Sequence, residues 1–101
     1  MDIQEFKNRF KNGEKNFSGA NLVGIHLKDL GLEKLDLSGA NLMGVQFTMV
    51  NLFQANLAEA SLIATRAVQS KFNGANFSKA DLSGAEFINT ILTLVVQKSK
   101  I

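Results

Sequence analysis

Bulky apolar residues recur along this chain at every fifth position. From Phe17 the series runs through Leu22, Leu27, Leu32, Leu37, Leu42, Phe47, Leu52, Leu57, Leu62, Ala67, Phe72, Phe77, Leu82 and Phe87 to Leu92, and every member except Ala67 is Leu or Phe. Two places before each stands a small or aliphatic residue over most of the series, as at Ala20, Ile25, Ala40, Val45, Ala55, Ala60 and Ala80. Between the two lies a position that is mostly polar: Asn21, Asp36, Asn41, Asn51, Asn56, Asn76 and Asp81.

Neither regular secondary structure has this period. Five helical steps of about 100° would leave successive bulky residues about 140° apart, scattered over every face. A straight strand would send alternate members to opposite faces, because five is odd. A chain that turns a corner every five residues can instead point each central residue toward one axis. Such a chain is a solenoid, in which each turn buries its apolar side with the help of its neighbours.

The number of corners per coil follows from the register. At a spacing of twenty, "SGANLVG", "SGANLMG", "AEASLIA" and "SKADLSG" align, with Gly24, Gly44, Ala64 and Gly84 in one column. At fifteen, "SGANL" would meet "EKLDL" and "TMVNL", a poorer match. Four pentads per coil predict four inward ladders, stacked at a strand spacing of about 4.8 Å. Ala67 then lies between Phe47 and Phe87 and just before Phe72, so bulky neighbours are expected to fill its volume.

The units "ANLVG", "ANLMG", "ANFSK" and "ADLSG" resemble the pentapeptide repeat family, whose consensus is A(D/N)LXX, and the resemblance covers about 80 of the 101 residues in sixteen unbroken units. It implies an all-β fold: a right-handed quadrilateral parallel β-helix, or β-solenoid, here with four 20-residue coils and an N-terminal α-helical cap. The helix followed by "GEKNFSGANL" is similar to the short helix-capped members common in cyanobacteria. The chain departs from consensus where Ile25, Leu30 and Leu35, then Thr65 and Ser70, replace the small alanine, and those coils are expected to swell or become irregular.

The domain organisation read from this pattern is a helical cap over residues 1–14, a β-helix of sixteen pentads over 15–94 and a C-terminal tail over 95–101. An open solenoid end exposes strand edges and core, so a lid is needed. At the start, Asp2 with Glu5 makes a capping-box-like opening, Ile3, Phe6 and Phe10 share one helical face, and Gly13 stops the helix. At the other end, "TLVVQKSKI" leaves two readings open: the tail closes over the last coil, or it forms a homodimer contact.

Composition narrows the function. The chain has 46% hydrophobic and 20% charged residues, so disorder is not expected, and its net charge of +2 is too small for a nucleic-acid footprint. It has no cysteine and one histidine, His26, so neither a disulfide nor a transition-metal site is expected, and no cofactor is called for. The charged start lacks a signal-peptide core and no apolar run approaches the roughly 18 residues of a membrane span, which together predict a cytoplasmic protein without membrane contact. No serine has a base partner in view, and the glycines fall at corners rather than in a phosphate loop, so no enzyme is expected.

What remains is the surface. The residue after each central one should face solvent, yet several are apolar: Met43, Phe53, Ile63 and Val68 in the middle coils, with Val23 and Ile88 beyond them. Their grouping predicts one contiguous patch, with Met43, Phe53, Ile63, Val68 and Ile88 as partner-binding residues on a flat β face. The expected role is a non-enzymatic structural module that binds a protein, with no nucleic acid involved. The resemblance also implies an alternative, a DNA-mimicking regulator of DNA gyrase or topoisomerase, which the short rod and net positive charge disfavour.

Overall fold

The computed structural model describes residues 1–93. Its elements are one helix, α1 (Ile3–Lys11), and four strands, β1 (His26–Lys28), β2 (Gln46–Thr48), β3 (Arg66–Val68) and β4 (Glu86–Ile88). The strands form one parallel sheet in the order β1-β2-β3-β4, each residue pairing with the one twenty further on, as in Leu27 with Phe47 and Phe47 with Ala67. Three more ladders of single bridges climb the other sides: Asn16/Asp36/Asn56/Asn76, Asn21/Asn41/Ser61/Asp81 and Gly31/Asn51/Lys71/Ile91. In chain order these are the first, second and fourth sides of a square, and the strands are its third. The fold is therefore a four-sided parallel β-helix. The expected tail at 95–101, and with it the choice between cap and dimer contact, lies outside the described residues.

Each corner from Gly19 to Asn89 turns on a residue with φ between +48° and +73°; six are glycine and nine, including Lys34, Met49 and Glu59, are not. On three sides the turn is closed by a backbone bond three residues back, as from the Ala40 amide to the Leu37 carbonyl at 3.0 Å. Positive φ at the third residue alone makes these type II turns. The polar position supplies a second fastening. Its carboxamide or carboxylate accepts the amide two residues on: Asn41 Oδ1 from Met43 at 3.1 Å, Asn51 from Phe53 at 3.0 Å and Asp36 from Ser38 at 3.0 Å. This is an Asx turn, which Asn and Asp side chains make more strongly than the hydroxyls of Ser or Thr.

The third side is built differently. His26, Gln46, Arg66 and Glu86 occupy the polar position there, and the chain runs on as strand. Two of its corners are held by hydroxyls instead: the Val50 amide donates to Ser70 Oγ at 3.1 Å, and the Ser70 amide to Thr90 Oγ1 at 3.2 Å. Ser70 Oγ donates in turn to the Val68 carbonyl at 3.1 Å. Thr65 is also buried, with Oγ1 on the Leu42 carbonyl at 2.8 Å. The departures from consensus therefore do not disturb the coils. Pairing continues in register through Asp36–Asn56, Arg66–Glu86 and Lys71–Ile91, and the hydroxyls of Thr65 and Ser70 each find a carbonyl or amide of a neighbouring coil or strand end.

The inward ladders form the core, fully buried from Phe17 to Phe77. The gap at Ala67 is filled as the sequence leads one to expect. Phe72 meets Phe47 and Phe87 edge-on, with centroids 5.6 Å and 5.7 Å away, and so spans the missing volume. At the first coil α1 closes the end. Asp2 caps it by accepting the Glu5 amide at 2.8 Å, and Gly13, with φ +92°, follows the C-terminal cap Asn12. Phe6 is completely buried against Phe17, and the Arg9 guanidinium lies 5.0 Å above the same ring. Arg9 also binds both carboxylate oxygens of Glu14, and this hydrogen bonding holds the Glu14 carboxyl below its ordinary pKa.

Candidate interaction surface

In each pentad the outward residues are the polar position, the residue after the central one and the corner. On the second side these give three columns: Asn21/Asn41/Ser61/Asp81, Val23/Met43/Ile63/Ser83 and Gly24/Gly44/Ala64/Gly84. Val23 is 48% exposed, Met43 is 41% exposed and Ile63 is half-buried, stacked one coil apart. The Asx bonds to the Val23 and Met43 amides fix the corners from which these side chains project. Beside them the glycine and alanine corners leave a shallow strip. A Cβ built on Gly44 would meet only the Gly24 Cα, at 4.0 Å, and one on Gly84 the Ala64 backbone, at 3.8 Å. Asp81 is the one charged residue in these columns, and it accepts the Ser83 amide at 3.0 Å.

The single patch expected from sequence is not formed. Met43 and Ile63 stack on the second side, while Val68 and Ile88 are half-buried neighbours in β3 and β4 on the third. Phe53, 43% exposed, stands on the fourth side between Glu33 and Asn73, opposite the Met43 column. The physical reason is the coil itself: residues ten apart are half a turn apart, however close they look along the chain. Near Phe53 is Met49, 44% exposed at a corner and absent from the expected set. Its signal was available, since it is an apolar residue in a corner column otherwise holding Asp29, Gln69 and Asn89.

The other sides carry the charge. Lys28, Asp29, Arg66 and Glu86 lie on the third, Glu33, Lys34 and Lys71 on the fourth, and Asp36, Glu59 and Lys79 on the first. Among the described residues no outward column holds two carboxylates. His26 is exposed, and its Nε2 lies 2.9 Å from Thr48 Oγ1. Among the described residues no three His, Asp or Glu side chains are placed to share a metal ion, and no helix is long and apolar enough to cross a membrane.

A family model for pentapeptide repeats, in 8 copies, matches residues 16–57 and 55–93. No curated protein is significantly similar to the chain in sequence. A pentapeptide repeat protein of the Arabidopsis thaliana thylakoid lumen is 28% identical, with a TM-score of 0.70 over 84% of this chain and 57% of its own. HetL of Nostoc sp. strain PCC 7120, a pentapeptide repeat protein involved in heterocyst differentiation regulation, is 30% identical over 89% of this chain and 40% of its own, with a TM-score of 0.49. The chain thus spans less than two thirds of the length of either. A further pentapeptide repeat protein from Nostoc PCC 7120 shares the fold, at 23% identity and a TM-score of 0.74 over 88% of this chain and 74% of its own.

Proposed function

Because the chain belongs to the pentapeptide repeat family, whose fold is the right-handed β-helix, we propose that it is a non-enzymatic module that binds a protein partner on its second side. The observation that carries this reading is the Val23–Met43–Ile63 column beside a glycine and alanine strip, on a side whose outward columns hold one charged residue. Desolvating such a surface removes apolar area from water and strands almost no charge, which is the composition of an interface core. The backbone of the side is already paired between coils, so recognition falls to these side chains. Met43, central in the column and flexible, is the residue best able to fit a partner surface.

The duplex-mimic alternative requires closely spaced negative charge along the rod, and the columns provide none. The test compares Met43→Glu with Phe53→Ser in affinity capture from the native host, each against the unaltered chain. Loss of the same protein with Met43→Glu and its retention with Phe53→Ser supports the second side. The reverse pattern moves the interface to the fourth side, and capture unaffected by either variant removes the proposal.

A further inference from the structure

The cap leaves part of the first coil uncovered. Phe6 and Arg9 sit over Phe17, but Leu30, an inward corner residue whose equivalent Val50 is fully buried, remains half-buried. Between Leu30 and α1 runs a cleft of about 380 Å³. Its floor is Phe6, Phe10 and Leu30, and its wall is the helix stripe Gln4, Lys7, Asn8 and Lys11, spaced so that all four project from one face. The volume lies within the range of small-molecule sites, roughly 300–1,000 Å³.

Charge decides what kind of molecule fits. Lys7 and Lys11 line the cleft, and among the described residues no carboxylate lines it and neither lysine takes part in an ion pair. The Lys15 ammonium, outside the cleft lining, is 4.7 Å from the Phe10 ring centroid and adds positive charge next to it. The carboxylates of the cap are engaged elsewhere: Glu5 and Glu14 both pair with Arg9, which lies over Phe17 and not in the cleft. An apolar floor under unpaired ammonium groups is complementary to an apolar body carrying one negative charge.

We propose that this cleft binds a small amphipathic monoanion, a carboxylate on a medium-length alkyl or single-ring body. The apolar part lies on Phe10 and Leu30 and the carboxylate faces Lys7 and Lys11. This site is separate from the partner-binding side, so Met43→Glu leaves it intact. The experiment is a titration of the full ¹⁵N-labelled chain with octanoate and, in parallel, with uncharged octanol, followed by amide chemical shifts.

Octanoate should give saturable shifts confined to α1 and the segment around Leu30, and octanol should bind more weakly. The exposed double substitution Lys7→Gln/Lys11→Gln should weaken octanoate about tenfold, the effect of losing two partly solvated ion pairs, and leave octanol unchanged. Equal binding of the two ligands, octanoate binding unaffected by the double substitution, or the absence of saturable shifts would each overturn the site. Binding to anionic vesicles without binding to free octanoate would overturn it in favour of surface adsorption.

Discussion

The rings of Phe6 and Phe17 lie 4.7 Å apart, centroid to centroid, and both side chains are fully buried. One belongs to the cap helix and the other opens the first inward ladder, so this contact joins the only helix of the described residues to the β-helix. Phe6→Ala should cost about 3–5 kcal/mol, the usual loss for a large buried ring. That is a large fraction of a domain's total stability. Phe10→Ala should cost less, since Phe10 is only half-buried. Denaturant unfolding gives both values, and sedimentation at rising concentration should show the Phe6 variant self-associating through its uncovered end. Equal and small losses for the two variants would mean that the cap is not anchored through Phe6.

On the three sides closed by turns, the Asx fastening is missing where the polar position holds neither Asn nor Asp: at Gly31, Lys71 and Ile91 on the fourth side and at Ser61 on the second. Asn21 and Asn41 each accept an amide two residues on, but Ser61, next in the same ladder, is too short, and its buried Oγ has no hydrogen-bond partner. Asn41→Ala should therefore destabilise by about 1 kcal/mol, and Ser61→Asn should stabilise by a similar amount by engaging the Ile63 amide. Gln46→Ala, at the matching position of the strand side, is the control and should be nearly neutral. Thermal melts of the three variants check the pattern. A stability loss with Gln46→Ala as large as that with Asn41→Ala would show that the effect is generic to the polar position.

The inward ladders, the register of twenty and the filling of space around Ala67 were legible because burial imposes a strict period on Leu and Phe. The Asn and Asp positions could be read only as polar. Their role depends on an amide two residues away that becomes reachable only once the corner has formed. Thr65 and Ser70 read as faults for a related reason, since Thr65 bonds Leu42 and Ser70 bonds Val50, partners about one coil distant in the chain. Met43 and Phe53 misled in the opposite way. They are near in sequence and lie on opposite sides of the square, so an apolar count over the middle coils suggested a patch that the geometry divides.

Ser70 holds a corner that has no turn bond of its own. It accepts the Val50 amide, donates to the Val68 carbonyl and is 1% exposed. Ser70→Ala keeps the volume nearly unchanged and leaves the Val50 amide without its acceptor, at a cost of about 1–3 kcal/mol. Hydrogen exchange at the Val50 amide should accelerate by more than exchange at Val45, whose amide is bound to the Leu42 carbonyl at 3.1 Å. Uniform acceleration of both amides would indicate global destabilisation without a local role for the hydroxyl.

Met49 sits at φ +55° with its side chain 44% exposed. A non-glycine residue in the left-handed region costs roughly 1–2 kcal/mol, and glycine's greater freedom in the unfolded chain returns about 0.5–1 kcal/mol of that. Little burial is lost on truncation, so Met49→Gly should stabilise the fold by up to about 1 kcal/mol. The reciprocal change has the opposite sign: Gly44→Ala, at φ +68°, should destabilise by a similar amount, and its Cβ meets the Gly24 Cα only at 4.0 Å, so crowding contributes little. Ala64 already occupies the next corner of that column at φ +58°, which limits the cost to conformational preference. Paired denaturation curves decide the matter. If Met49→Gly destabilises, the Met49 side chain makes contacts worth more than the backbone preference, and the fourth side near Phe53 becomes the better place to look for a partner.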